Sequence, residues 1–339
     1  MNRTVSVTVF FLFFISQISA QMPDSVKQYI DSSLLIMQQH SLYTKSVNWK
    51  KIRSQTYLKA GQAQTINDAY EALTWAFAQL KDYHGMIRIG TNEAFRVKNP
   101  LPDNRQDTVM LSQLFKSPPK VVIAKIGNYG YIRVPHMPQL SETGINKAAN
   151  DLKDSVCKLN GLGVQGWIVD LRVNVGGNFR QMIGGLAALF CNRQLGTFKD
   201  YKGNATESWR VEGGQMFIGN TQGAKVANAC EVGCNLPVAV LIGPSTGSSG
   251  EITAISFSSR PNTFFFGERT AGYANSTQGF FVGGKSVYML LTTALASNSK
   301  GKLFNHLVEP DVVADAKINL DTITDELVKR VAEWLRQKK

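Results

Sequence analysis

Histidine and cysteine are scarce in this chain, with four of each in 339 residues. Four histidines leave few side chains that exchange a proton near neutral pH. The cysteines Cys157, Cys191, Cys230 and Cys234 lack the paired short spacing that tetrahedral zinc sites usually show, which makes a zinc site the weaker reading. Disulfides are open to an exported chain. Cys230 and Cys234 are near enough to close a small loop, but four cysteines allow three pairings and sequence does not choose among them. No internal repeat or low-complexity tract is present, which excludes solenoid and fibrous classes. After the first fifteen residues no long apolar run follows, so an integral membrane protein is not expected. The formal charge is +12, from 37 basic and 25 acidic residues. No basic motif interleaved with aromatics accompanies it, so nucleic acid is not an expected partner. The charge reads as solubility, with an acidic partner or anionic envelope as the alternative.

What is present begins with a targeting pattern. Arg3 precedes the apolar run Val5 to Ile15, and Ser16, Ser19 and Ala20 supply small residues. The run falls short of the roughly 20 residues that span a bilayer. The pattern reads as a secretory signal peptide over residues 1–20, with a mature N-terminus at Gln21. An uncleaved anchor is the other reading. No cysteine flanks the expected cut, so no lipid anchor is expected there. The expected destination is the periplasm or the exterior.

The remaining chain, roughly 320 residues, is one large or two ordinary domains. Residues 22–43 carry apolar side chains at helical spacing. Ile66, Tyr70, Leu73, Phe77 and Leu80 fall at steps of three or four and predict a second helix. Thr65 and Asp68 resemble a capping box at its start. Residues 21–98 therefore read as a small helical N-terminal cap domain that delivers His84 at its edge. Four prolines mark residues 99–120 as a linker or irregular arm. From 121 to 339 short strand-type runs alternate with helical spacing, which implies an α/β core. Strands are expected at 121–126, 130–134, 166–171, 236–242, 263–266, 279–282 and 286–292. Gly283-Gly284 predicts a hairpin turn between the last two. Helices are expected near 145–159, from Gly176-Gly177 through Phe190, after Ser248 up to Pro261, and over 322–337.

The stretch after Ile242 carries the chemistry. A strand feeds the turn Gly243-Pro244-Ser245-Thr246-Gly247-Ser248-Ser249-Gly250, which opens a helix. A helix start presents free N–H groups and a positive dipole end. A hydroxyl there can attack a carbonyl while neighbouring amides hold the oxyanion. Ser245, Ser248 and Ser249 are the candidates, and a plain structural N-cap is the alternative. Gly243 to Gly247 also matches the G-x-S-x-G elbow of α/β-hydrolases, with His306 downstream. Too little chain follows Ser245 for that fold, which ranks it lower.

Five segments resemble, in order, the C-terminal processing (tail-specific) serine peptidase family. Leu80 to His84 is similar to L-x-D-x-H, Asp170 to Gly177 to D-L-R-x-N-x-G-G, and Thr246 to Glu251 to T-x-S-x-[SG]-E. Gly267 to Gly272 is similar to G-E-x-T-x-G, and Val308 to Asp311 to V-x-P-D. The resemblance places the nucleophile at Ser248 and implies an α/β core of the ClpP/crotonase type. It sets Tyr273 where the processing branch carries its lysine base. His84 stands where the tricorn-like branch, which includes the interphotoreceptor retinoid-binding repeats, has histidine. His84 is therefore the expected general base, with Lys285 or Tyr273 next in line. The tricorn-like orienting acid would fall at Phe304 or its neighbours, so Glu251, Asp82 and Glu309 are the substitutes to consider. Gly176 or Gly177 and the Ser249 amide would form the oxyanion hole. No room is found for the PDZ domain of the processing branch. The expected activity is that of an exported serine endopeptidase acting on peptide or protein, with no metal or organic cofactor. The alternative is a non-catalytic module binding an apolar ligand. Oligomeric state is not readable.

Overall fold

The computed structural model describes residues 21–98, 108–117 and 120–338. The expected signal segment and parts of the expected arm lie outside the described residues.

Helix α1, Asp24–His40, buries Val26, Ile30, Leu34 and Met37 along one stripe. Helix α2, Trp49–Ala60, starts where the Asn48 side chain accepts the Lys51 N–H. Helix α3, Tyr70–Gln79, begins later than the capping pattern suggested. The box itself forms: Asp68 accepts the Thr65 N–H at 2.8 Å and Thr65 accepts the Asp68 N–H at 3.3 Å. It fastens the turn ahead of α3 rather than the helix itself. Strand β1, Met86–Ile89, leaves the helices and pairs antiparallel with residues 287–290. The helices and this strand share one apolar cluster with Val282, Val287, Met289 and Leu291. Residues 21–98 are thus stitched into the sheet of the distant C-terminal half.

Within the expected arm lies helix α4, Thr108–Lys116. Its Leu114 is buried against Val173 and Val175. Then follow β2 (Val122–Ile126), β3 (Tyr129–Arg133), α5 (Glu142–Asn160) and β4 (Trp167–Asp170). The expected single helix to Phe190 is two short ones, α6 (Phe179–Gly185) and α7 (Ala187–Phe190). Four strands come next: β5 (Arg193–Lys199), β6 (Ala205–Glu212), β7 (Gln215–Ile218) and β8 (Thr221–Ala224). The chain returns with β9 (Val238–Ile242), α8 (Ser249–Ser258) and β10 (Thr263–Gly267). It ends with β11 (Asn275–Val282), β12 (Val287–Asn298), β13 (Val312–Val313) and α9 (Glu326–Gln337).

Two sheets result. One runs β13-β10-β9-β4-β3-β2, parallel except for the β2–β3 hairpin. Its central strands β4 and β9 are buried at every residue, as continuous apolar runs in a parallel sheet should be. The other runs β1-β12-β5-β6-β7-β8, is antiparallel, and has β11 paired with β12. Val282 pairs with Val287, so Gly283 and Gly284, at φ 56° and 60°, open a four-residue turn that Lys285 continues at φ 85° and that the Ser286 N–H closes on Gly283 O at 3.1 Å. The chain therefore has an α/β fold with a helical N-terminal region. All four cysteines are oxidised, as Cys157–Cys230 and Cys191–Cys234. That overturns both the zinc reading and the small Cys230–Cys234 loop.

Candidate active site

Ser248 stands between the turn after β9 and the first residue of α8, at φ 51° and ψ −117°. A non-glycine residue there costs about 1–3 kcal/mol and persists only where its surroundings over-determine it. They do. The Thr246 hydroxyl donates to Leu171 O at 2.9 Å and accepts the Gly243 N–H at 3.0 Å. Ala271 N donates to Thr246 O, and Gly247 N to Asn174 O, both at 2.9 Å. The turn is thus tied to the segment after β4 and to residues 270–273. Ser245 is buried in the turn ahead of the helix, so the helix junction falls on Ser248 instead.

Gly176 and Gly177 lie opposite, at φ 116° and 110°. A Cβ on Gly176 would come within 3.0 Å of Ser248 Cβ, and one on Gly177 within 2.2 Å of Met137 O. Only glycine lets this loop approach so closely. The Ser249 hydroxyl donates to Gly177 O at 2.9 Å and clasps loop to helix. Among the described residues no hydrogen bond engages the N–H of Gly177 or of Ser249. Behind the loop, buried Arg172 bonds Asp170 at 2.7 Å, Asp325 at 2.8 Å and Lys317 O at 3.1 Å. The D-L-R part of the motif is therefore a fastening for the glycine loop.

Glu251, wholly buried, takes four donors. Oε2 accepts Ser248 N and Tyr273 N, both at 2.8 Å. Oε1 accepts Gly272 N at 2.9 Å and the Thr270 hydroxyl at 2.5 Å. Burial pushes this carboxyl up to about 7, against the pull of those donors. Thr270 in turn accepts Val308 N at 2.8 Å. Two of the five motifs meet on this one acid, and Thr270 ties in a third through Val308. Among the described residues it makes no bond to His84.

His84 comes from the loop between α3 and β1. The Asp82 carboxylate holds that loop, accepting the N–H of His84 at 3.2 Å and of Gly85 at 2.8 Å, and both N–H and hydroxyl of Thr292 at 2.8 Å. Asp82 therefore fixes the backbone of the histidine and not its ring. Glu309 is exposed and makes no hydrogen bond to the ring. The ring's partner is Asn275 at the start of β11, with Nδ1 2.6 Å from its Oδ1. Asn275 Nδ2 lies 3.4 Å from Nδ1 of His306. Burial holds His84 below the usual 6.5, opposed by Asn275 and Asp82. The Tyr273 ring packs on His84 with centroids 5.0 Å apart. Its Cδ2 lies 3.9 Å from where a Cβ on Gly247 would stand. Tyr273 therefore lies between the histidine and the nucleophile turn, and no hydrogen bond joins His84 to Ser248. Sequence reasoning missed Asn275 altogether. His306 had two signals, its place downstream of the Gly243–Gly247 elbow and its position two residues after Phe304, where the resemblance sets the orienting acid.

An α/β fold with a strained serine at a helix start, a glycine loop with free amides and a half-buried imidazole nearby has the architecture of a serine hydrolase. The sequence model of Peptidase family S41 matches residues 128–314, over half of the chain, and the protein belongs to that family. Ser248, Glu251 and the glycine loop lie inside the match, and His84 lies before it. The nisin-resistance protein of Lactococcus lactis subsp. lactis is 26% identical over 290 residues, covering 86% of this chain and 84% of its own. A lipoprotein structure from Streptococcus agalactiae superposes with a TM-score of 0.67 at 20% identity, covering 98% of this chain and 100% of the other. The photosystem II D1 C-terminal processing protease superposes with a TM-score of 0.63 at 15% identity, covering 91% and 97%. At such identities the two structures speak for the fold. Among the described residues no helix is long and apolar enough to cross a membrane.

Proposed function

We propose that this chain is an exported serine endopeptidase in which Ser248 attacks the scissile carbonyl carbon and His84 is the general base. Neutral His84 takes the Ser248 proton as the Oγ–C bond forms. The carbonyl oxygen, now an oxyanion, is held by the N–H groups of Gly177 and Ser249. The imidazolium then protonates the leaving amine as the C–N bond breaks, and water repeats the cycle on the acyl-enzyme. A modest closure bringing His84 onto Ser248 is part of the reading, since such contacts often tighten only with substrate bound.

The observation that carries this reading is the strained Ser248 beside two unengaged amides. A structural N-cap does not need either. Export is supported by the pattern of residues 1–20 and by two disulfides, which persist in oxidising compartments. The substrate is read as peptide or protein, with tail-specific-like cleavage near C-termini included in the search. Nisin is worth testing because the Lactococcus relative bears its name.

The experiment is labelling of purified protein with a fluorophosphonate, followed by digestion of nisin and of an unstructured peptide set. Wild type labels and cleaves; Ser248→Ala does neither; Ser245→Ala and Ser249→Ala keep substantial labelling. Labelling that moves with Ser245 would instead favour the α/β-hydrolase elbow. A folded wild type that never labels would favour the apolar-ligand-binding module.

A further inference from the structure

We propose that Asn275 is the positioning residue of His84, and that His306 in turn orients the Asn275 carboxamide. This rests on the reading of Ser248 and His84 as nucleophile and base. A base of this kind needs a third group to fix its tautomer, and each acid within the motifs is otherwise occupied. Asp82 is spent on backbone and Thr292, Glu251 on four donors, and Glu309 is in solvent. Asn275 is buried at 6% exposure with its carboxamide between two imidazoles.

The chemistry follows from which atoms can donate. A carboxamide oxygen only accepts, so with Oδ1 on His84 Nδ1 that nitrogen must carry the proton. The lone pair is then on Nε2, the form that can take a proton from serine. A carboxamide turned over would place Nδ2 on the same nitrogen and leave Nε2 protonated and useless as a base. The Nδ1 lone pair of His306 accepts from Nδ2 and favours the productive orientation. Asn275 carries no charge, so it sets the tautomer without strongly stabilising imidazolium. The charged and titratable groups facing His84 are Asp82, Arg96, Tyr273 and His306; Asp82 and His84 face His306, whose ring also stacks on Tyr43.

The test is the pH profile of kcat and KM, with labelling rate as a second readout, for Asn275→Leu, Asn275→Asp and His306→Phe. Asn275→Leu is expected to lower kcat by about 10²–10⁴-fold, the range for general-base catalysis, with KM changed less than about threefold. Asn275→Asp presents only acceptors, so it holds the same tautomer. It is expected to recover kcat to within about tenfold of wild type and to move the acid limb to higher pH, because a carboxylate stabilises imidazolium. His306→Phe keeps the stack on Tyr43 and is expected to lower kcat about tenfold. Near-normal kcat in Asn275→Leu, with Ser248→Ala and His84→Ala inactive, would overturn the proposal alone. So would equal impairment of both Asn275 variants with an unmoved acid limb. If Asn275→Leu melts early, the acid limb of Asn275→Asp decides: shifted up it supports the proposal, unmoved it overturns it. Activity surviving in Ser248→Ala would instead overturn the nucleophile assignment.

Discussion

Tyr273 packs its ring on that of His84, 5.0 Å centroid to centroid and tilted by 44°. By resemblance it occupies the position of the processing branch's lysine, so the two residues are rival proton acceptors. Burial raises the Tyr273 hydroxyl above its usual 10, which keeps it protonated at neutral pH. Burial lowers His84 below 6.5, which keeps it neutral there. Activity is therefore expected to rise through an acid limb below 6.5 and to stay level above neutrality. Tyr273→Phe should keep kcat within about threefold, since general-base loss costs 10²-fold or more. A limb near 10 that vanishes in Tyr273→Phe would reverse the assignment. The same depression has a stability consequence. A group whose folded value is lowered adds stability above its unfolded value, lost as pH falls through the folded one.

Glu251 accepts the Ser248 N–H from only three residues along the chain, at 2.8 Å. All its other partners are donors too, from residues 270, 272 and 273. An amide in its place must turn an NH2 toward two of them whichever way it rotates. Glu251→Gln is therefore expected to cost about 1–3 kcal/mol for each buried donor left without an acceptor. Thermal melting should register that loss, and labelling of Ser248 should fall because the helix start and the 270–273 segment part. A melting temperature equal to wild type would show that the carboxylate is not the fastening described.

Both disulfides end on the segment between β8 and β9, from Cys157 at the end of α5 and from Cys191 just after α7. Their sequence separations are 73 and 43 residues. In the chain-entropy account each constrains the unfolded chain by about 4 kcal/mol. Replacing either pair by alanine should lower the melting temperature by about 6 °C for a chain of this size. Neither lies in the site, so the labelling rate of the folded variant should be unchanged. A melt indifferent to reductant would contradict this.

The sequence by itself determined the elements whose signal is local. Trp167-Ile168-Val169 and Val238 to Ile242 are apolar without a break, and both are central buried strands. Gly283-Gly284 made its hairpin, and five motifs in order pointed to the family that the match over residues 128–314 establishes. Strands β5 to β8 went unread, because their pairing is carried by cross-strand neighbours and irregular registers rather than by clean alternation. Tertiary structure alone decided the disulfide pairing, the insertion of β1 beside β12, and the partner of the catalytic candidate. His84 and Asn275 are 191 residues apart and 2.6 Å from each other. Nothing in the local spacing of either announces the other, because a side-chain hydrogen bond across a fold depends on where two backbones are brought, and that is set by the packing of the elements between them.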